Sequence, residues 1–317
     1  MSTSRIVRRF VRDSDAEARA LIAGLRASPA RIAPKYFYDS LGCALYGAIC
    51  ELPEYYLTRT ERGIFDAHRA EIALAIGHGR QFVDLGAGDC RKGEAWLDWI
   101  APSRYVAVDI AEEAIAGALE RMAPRFPAIE LLGIVTDFAG GLDLRQDLSA
   151  APAAFFYPGS SIGNFTPDEA LRFIAEIRRH CAVPGSSLLI GVDLVKPAAR
   201  LEAAYADALG VTAAFNRNAL DHVNRLIGSD FVASTWRHCA FYDMEKSRVE
   251  MHLEATAAQV VHLAGEARTF AAGERIHTEN SCKYTPRAFA ALLAGAGFGS
   301  VRRWTDPAGD FAVFLAQ

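Results

Sequence analysis

The 317-residue sequence lacks the features that mark several large classes of protein. Its six cysteines form no CxxC pair and no Cys/His cluster at zinc spacing, which argues against a structural zinc site and a disulfide framework. They are scattered along the chain as Cys43, Cys50, Cys90, Cys181, Cys239 and Cys282. No stretch reaches the roughly 18 consecutive apolar residues that a membrane-spanning helix needs. Basic residues are not in surplus, with 34 Lys and Arg against 38 Asp and Glu, so nothing indicates a surface for nucleic acid.

These absences leave a simple expectation for the protein's surroundings. We expect a soluble cytoplasmic protein that binds no metal, no nucleic acid and no membrane. We also expect a monomer, because no apolar stripe is left over once the helices and strands have been assigned. With 51% hydrophobic residues, the chain has enough apolar material for one large core or for a core plus a smaller second lobe.

The strongest periodic signal lies between about residues 80 and 195, where short apolar runs alternate with amphipathic helical patterns. The predicted strands are 81–85, 104–108, 129–135, 153–157 and 187–192. The predicted helices are 92–100, 112–125 and 167–181. Strands that are apolar on both faces and separated by helices indicate a parallel sheet covered on both sides. The pattern therefore predicts a doubly wound, Rossmann-like α/β domain.

The end of the chain continues this domain, and the segments around it predict a second lobe. A helix at 286–296 and strands at 300–305 and 311–316 predict an antiparallel hairpin that extends the sheet. The first sixty residues precede the first predicted strand of the sheet, and residues 196–281 form an insertion that is first helical and then β-like. We therefore predict a sheet domain of residues 61–195 and 282–317. Residues 1–60 and 196–281 then form an α+β lid that binds the substrate.

A glycine turn after the first predicted strand indicates a nucleotide-like cofactor. Gly86 and Gly88 let the backbone approach a ligand closely, and the following helix offers its free N–H groups. Arg91 stands where the Rossmann dinucleotide fingerprint needs a third glycine or alanine. Asp84, just before the turn, is typical of methyltransferases, where such an acid lies near the methionine end of the cofactor. Asp109 ends the second strand and can accept both ribose hydroxyls, as it would in an NAD enzyme as well.

A third element follows the third predicted strand. Asp137 can accept a hydrogen bond from an adenine amino group, and Phe138 can line the ring. Taken singly, Asp109 is equally well explained as a helix cap and Asp137 as a turn residue. Together, the three elements fall at the carboxyl ends of successive strands, which is the edge where open α/β sheets bind ligands. We therefore predict S-adenosylmethionine as the cofactor, with an NAD-linked oxidoreductase or a non-catalytic binding module as the alternatives.

Several longer strings of residues resemble one family of enzymes. They lie at residues 36–39, 52–56, 159–165, 191–196, 203–205, 210–218, 250–251 and 273–283. Together they cover nearly the whole chain, and they resemble the histidine Nα-methyltransferases of ergothioneine biosynthesis. The resemblance implies that the substrates are L-histidine and its mono- and dimethyl forms. It also implies that the product is the betaine hercynine and that three cofactor molecules are used.

The resemblance further implies roles for individual residues. Asn164 and Tyr205 are the implied catalytic pair and, with Tyr56, hold the amino and carboxylate groups of the amino acid. Glu279 and Ser281 are implied to grip the imidazole, with Met251 beside the ring. The implied cofactor contacts are Gly86, Lys92, Asp109, Asp137 and Phe138, to which the turn itself adds Asp84 and Gly88.

Several of these residues are equally compatible with ordinary structural roles. Tyr56 and Met251 could be core residues, Asn164 a turn residue, and Glu279 a partner of Arg275. The chain also departs from the family at Cys43, where serine is usual, at Gly93, where threonine is common, and in the loop 157–161. Another substrate, such as tryptophan, a prenylated tryptophan or a histidine derivative, is the alternative within the same family. Glu279 distinguishes them, because an indole has less use for a buried carboxylate.

Overall fold

The computed structural model describes residues 4–9 and 14–317. The first half of the chain forms β1 (Ser4–Arg8), α1 (Ser14–Arg26), β2 (Ala30–Arg31), α2 (Ser40–Cys50), α3 (Leu57–Ile76), β3 (Gln81–Leu85), α4 (Arg91–Ile100), β4 (Arg104–Asp109), α5 (Glu112–Met122), β5 (Glu130–Val135) and β6 (Ala153–Tyr157). The second half forms α6 (Pro167–His180), β7 (Ser187–Asp193), α7 (Ala198–Tyr205), α8 (Val211–Ile227), β8 (Trp236–Asp243), β9 (Arg248–Ala255), β10 (Gln259–Leu263), β11 (Glu266–Phe270), β12 (Arg275–Cys282), α9 (Pro286–Gly295), β13 (Val301–Thr305) and β14 (Phe311–Ala316).

An eight-stranded sheet forms the larger lobe, in the order β1-β5-β4-β3-β6-β7-β14-β13. Its strands are parallel except β14, which runs antiparallel to both β7 and β13. Every residue of β3, β6 and β7 is buried, because helices cover both faces of the sheet. The predicted doubly wound fold with a C-terminal antiparallel hairpin is confirmed. Within the described ranges, no helix combines the length and the apolar character that crossing a bilayer would require.

The edge strand β1 corrects one expectation. The prediction that the first sixty residues all precede the sheet is wrong for Ser4–Arg8, which pairs in parallel with β5. Two ion pairs hold this strand to the larger lobe, one from Arg8 to Glu112 and one from Arg9 to Asp147 at 2.6 Å. A strand at the sheet edge needs only one partner, so its short and partly charged sequence gives little sign of it. Residues 1–3 and 10–13 of the predicted lid lie outside the described residues.

The smaller lobe is built on a four-stranded sheet in the order β2-β12-β9-β8, next to the two-stranded ribbon β10-β11. Its own hydrophobic core includes Leu25, Leu220, Trp236, Leu253 and Phe270. The sequence pattern predicts β8, β9 and β10 but misses β11 and β12. In β12 the polar run of residues 277–281 hides the alternation of a strand, and those are the residues that approach the other lobe.

Candidate active site

The glycine turn after β3 forms one end of the site. Gly86 and Gly88 have φ values of +67° and +53°, in the left-handed region that glycine adopts without steric cost. The Asp109 carboxylate accepts hydrogen bonds from the backbone N–H of Gly88 at 2.8 Å and of Ala111 at 2.9 Å. Phe138 lies over the turn, with its ring 3.9 Å from where a Cβ on Gly86 would be. The cofactor residues predicted on three separate strands therefore meet at one edge of the sheet.

Asp84 lies beneath this turn in a buried environment. Burial raises the pKa of Asp84 to about 7, although the hydroxyl of Tyr105, which donates to it at 2.6 Å, acts in the opposite direction. A Cβ on Gly93 would lie 2.2 Å from the Asp84 carboxylate and 2.7 Å from the Tyr105 hydroxyl. Glycine at position 93 is therefore what leaves room for the Asp84–Tyr105 pair.

Lys92 and Asp137 contact charged partners in this structure. Lys92 pairs at 2.8 Å with Glu61, which is buried and also accepts the backbone N–H of Gly159 at 2.6 Å. Asp137 pairs at 2.9 Å with Lys35, from the segment between β2 and α2. The first contact fixes the loop after β6 beside α4, and the second connects the smaller lobe to the adenine side of the predicted cofactor site.

A pocket lies between the carboxyl edge of the large sheet and the inner face of the small one. Its walls are formed by Tyr38, Tyr46, Ile49, Tyr55, Leu57, Gly159, Ser160, Ser161, Asn164, Ala204, Tyr205, Thr212, Phe215, Met251, Glu279 and Ser281. Five of the six predicted substrate residues are among them. Tyr56 is not, because its hydroxyl donates to Asp193 at 2.8 Å and accepts from Lys196 at 2.7 Å. Its neighbour Tyr55 lines the pocket instead, and the substrate role of Tyr56 stays a prediction.

Asn164 reaches the pocket because a short turn lies directly against β12. This 3-10 turn, Ser161–Asn164, follows β6. A Cβ on Gly163 would lie only 3.0 Å from the carbonyl oxygen of Cys282, so the missing side chain permits the close approach. In the orientation that satisfies its amide, Asn164 donates to the Glu279 carboxylate at 3.3 Å and to the Asn280 carbonyl at 3.2 Å.

Glu279 is the buried acid of the pocket. Burial raises the pKa of Glu279 to about 7, while the nearby charge of Lys283 and the hydrogen bond from Asn164 lower it. Met251 lies directly opposite Glu279 in the β9–β12 ladder, so both side chains belong to the same face of the sheet. The sheet therefore presents an ionisable acceptor beside an adaptable apolar side chain.

The raised pKa of Glu279 predicts a pH-dependent cost to stability. Because the folded-state pKa of about 7 exceeds the usual 4.5, the folded protein binds more protons than the unfolded chain between these values, and stability falls as pH rises through them. We expect Glu279→Gln to gain stability relative to wild type, by up to about 3 kcal/mol, between about pH 5 and pH 8. Urea denaturation at several pH values measures this gain.

Glu250→Gln serves as the matched control for that experiment. Burial raises the pKa of Glu250, but the hydrogen bonds and charges of Arg248 and His252 together lower it below its usual value, so its titration lies below this pH window. Burial lowers the pKa of His252 and Glu250 raises it, so the stability difference between Glu250→Gln and wild type should stay constant from about pH 6.5, where this histidine is largely neutral, to pH 8. A Glu279→Gln difference that is equally flat would contradict a raised pKa at Glu279.

Tyr205 and Ser281 share a buried lysine that sequence reasoning did not single out. Their hydroxyl oxygens lie 2.6 Å apart, and Lys283 donates to both, at 3.0 Å to Tyr205 and 2.7 Å to Ser281. Asp193, at the end of β7, pairs with Lys283 at 2.7 Å. The one available sign was that Lys283 closes the string 273–283 on which the family resemblance rests.

Four aromatic residues, Tyr38, Tyr46, Tyr55 and Phe215, form an aromatic wall of the pocket that the sequence analysis did not predict. Tyr38 and Tyr46 meet edge to face at 5.8 Å, and Phe215 lies 6.1 Å from Tyr46. Tyr55 connects this group to Tyr205, with ring centroids 6.2 Å apart. These aromatic residues come from four separate places in the chain, and single aromatic residues are most often buried, so the sequence pattern could not distinguish this wall from ordinary packing.

The described residues contain one group whose composition could suit a metal ion, Glu250, His252 and His277. Glu250 and His252 flank Met251 on β9, so they face away from the pocket. Glu250 is already engaged, because Arg248 donates to it at 2.8 Å and His252 at 2.9 Å. This group lies outside the site described above.

The parallel sheet with its terminal hairpin, the glycine turn with acids on successive strands, and the pocket at the same edge define an S-adenosylmethionine-dependent methyltransferase. Residues 17–317 match the model of one family, described as the histidine-specific, SAM-dependent methyltransferases. The chain belongs to that family, and the predicted cofactor class is confirmed.

Individual relatives extend this comparison over nearly the full length of this chain. A histidine N-alpha-methyltransferase of Mycolicibacterium smegmatis is 41% identical over 312 residues, which cover 96% of each chain. One of the same name from Mycobacterium tuberculosis is 38% identical, with 94% of each chain covered. The ergothioneine biosynthesis protein 1 of Neurospora crassa is 30% identical across 87% of this chain but only 32% of its own length. The similarity includes both lobes, and therefore the pocket between them.

Proposed function

We propose that this enzyme methylates the α-amino group of L-histidine and carries the reaction through the mono- and dimethyl forms to hercynine. The observation that carries this proposal is the buried Glu279, placed beside the Ser281 hydroxyl on β12. A neutral imidazole carries one N–H donor and one lone pair, and an acceptor beside a hydroxyl matches both. A substrate that left either group unpaired would lose about 1–3 kcal/mol or more.

The cofactor fits the cradle at the glycine turn. The bare backbone of Gly86 and Gly88 permits close approach, and the Asp109 carboxylate retains lone pairs that suit ribose hydroxyls. When bound, S-adenosylmethionine supplies an electrophilic methyl group. The task of the protein is then to hold the amine nitrogen in line with that group and to keep its lone pair free.

The residues around the amine suit repeated methylation. Asn164 and Tyr205 can hold the amino acid without adding a charge of their own, and the proton released at each step can pass to solvent. As methyl groups accumulate, the nitrogen becomes a permanent cation. The faces of Tyr38, Tyr46, Tyr55 and Phe215 suit such a cation, because aromatic rings attract quaternary ammonium groups.

A second substrate within the same family is tryptophan or a derivative of it. The aromatic wall would accept an indole as readily as an imidazole. Glu279 favours histidine, because an indole offers a single N–H donor and no lone pair in the ring plane for Ser281. The names of the relatives lend support to histidine and to an early step of ergothioneine biosynthesis.

Calorimetry with the product form of the cofactor tests the proposal directly. L-histidine is titrated into protein saturated with S-adenosylhomocysteine, with L-tryptophan in parallel, and turnover products are resolved by mass spectrometry. We expect selective binding of histidine and accumulation of the trimethylated product. Stronger binding of tryptophan, or products that stop short of trimethylation, would overturn the proposed substrate or product while leaving the methyltransferase class in place.

A further inference from the structure

Lys283 is a fully buried ammonium group whose hydrogen-bonding capacity is used up. Its side chain is 0% exposed, and it donates to Asp193 at 2.7 Å, to Tyr205 at 3.0 Å and to Ser281 at 2.7 Å. A lysine ammonium has three N–H donors and no acceptor. Lys283 therefore has no hydrogen left for a substrate, and any effect it has on the reaction passes through the hydroxyls it contacts.

Those contacts restrict how the two hydroxyls can point. Tyr205 and Ser281 are 2.6 Å apart, so one hydroxyl hydrogen is used between them. Both oxygens already accept from Lys283, so that ammonium cannot be the acceptor for the other hydrogen. One hydroxyl hydrogen thus remains for the pocket. A phenol is a more acidic donor than an alcohol, which favours Tyr205 donating to Ser281 and leaves the Ser281 hydrogen free.

We propose that Lys283 is a positioning residue: by donating to both oxygens it holds the two hydroxyls in one chain, which runs from Tyr205 to Ser281 and from Ser281 to the substrate. The proposal rests on the proposed function, because it assigns the last hydrogen bond to the lone pair of a neutral imidazole. It leaves Tyr205 a lone pair that can accept an N–H of the amine. The nitrogen lone pair is then not occupied by a hydroxyl hydrogen and remains available to the methyl group.

Charge gives Lys283 a second influence on the pocket. Asp193 pairs with both Lys283 and Lys196, so this buried cluster carries one more positive than negative charge. This surplus positive charge acts on Glu279. Burial raises the pKa of Glu279, and the charge of Lys283 lowers it. The titratable and charged side chains that influence or are influenced by Glu279 are Tyr38, Tyr46, Tyr205 and Lys283. Lys283 is the cation in this set and therefore favours the ionised form that accepts an imidazole N–H.

The first test compares Lys283→Met with Lys196→Met. Both variants remove a buried positive charge from Asp193, but Lys196 contacts Tyr56 and not the Tyr205–Ser281 pair. With protein saturated by S-adenosylhomocysteine, we expect histidine affinity to fall at least about 30-fold in Lys283→Met and by less than about fivefold in Lys196→Met, which among the predicted substrate residues disturbs only the Tyr56 hydroxyl. Unchanged affinity for S-adenosylhomocysteine shows that each variant is folded. If Lys283→Met does not fold, Lys283→Gln replaces it, with a loss of at least about tenfold expected.

The second test follows the pH dependence of histidine affinity. Titration of the free substrate is common to all variants, so a difference between their profiles belongs to the protein. Removing Lys283 should move the rise in affinity to higher pH, because Glu279 loses the cation that lowers its pKa. A merely structural role would leave the profile in place.

The outcomes separate this inference from the proposed function. Wild-type protein that binds histidine, with Lys283→Met binding it equally well, would overturn the positioning role and leave the function intact. An equal loss in both methionine variants would assign the effect to charge balance at Asp193 and also overturn it. Failure of wild-type protein to bind histidine would remove the function, and this inference with it.

Discussion

Replacing Glu279 with alanine is expected to lower kcat/KM for L-histidine by about 100-fold. The change removes the proposed acceptor for the imidazole N–H and leaves the Asn164 amide without its contact to the carboxylate at 3.3 Å. Hydrogen bonds to a charged group are worth about 1.5–3 kcal/mol, which corresponds to a loss of this size. Steady-state kinetics with L-histidine measures the effect, and turnover of L-tryptophan should not fall in parallel.

Glu250→Gln is the control for this variant as well. Glu250 lies on the neighbouring strand but on the opposite face of the sheet, where it contacts Arg248 and His252. We expect it to retain kcat/KM for histidine within about threefold, as for a residue outside the site. Full histidine turnover by Glu279→Ala would rule out the imidazole contact and reopen the question of the substrate.

Replacing Asp109 with alanine is expected to weaken binding of S-adenosylhomocysteine by about 100-fold. The substitution removes two contacts of the carboxylate at once. The carboxylate anchors the turn through the Gly88 N–H at 2.8 Å, and it is the proposed acceptor for the ribose hydroxyls. Calorimetric titration of S-adenosylhomocysteine measures the loss, and thermal unfolding without ligand shows whether the fold survives.

Asp89→Ala provides the comparison, because Asp89 lies in the same turn. Its side chain is exposed and pairs with Arg91 at 3.0 Å, a surface contact worth little. We expect affinity within about twofold of wild type. Similar losses in both variants would mean that disruption of the loop, rather than the ribose contact, governs cofactor binding.

The large sheet could be predicted because the sequence patterns of its strands and helices are local. Five buried strands and their helices repeat an alternation of apolar runs that short windows of sequence reveal, and β3 and β6 were predicted at the residues where they occur. The carboxyl ends of parallel strands meet at one edge by topology alone. The association of Asp84, Asp109 and Phe138 at that edge therefore followed from the order of the strands.

Other elements depend on partners far away in the chain. Strand β1 pairs with β5 across more than a hundred residues, and the polar strand β12 is defined by its pairing with β9. Neither strand has an alternation of apolar and polar residues that is strong enough to predict it. Because the pairing of β1 with β5 is not visible in the local sequence, the prediction of a lid wrongly included Ser4–Arg8.

The sequence by itself determined the class of fold and the class of cofactor, and through its resemblance to one family it predicted most of the residues that line the pocket. Only the tertiary structure decided how those residues act together. Contacts between distant segments place Tyr55 rather than Tyr56 in the pocket wall, make Gly93 necessary beside Asp84, and bring Lys283 against Tyr205 and Ser281. The physical reason is that periodicity and turn chemistry are properties of neighbouring residues. Burial, pKa and hydrogen-bond direction depend on whatever the fold packs against them.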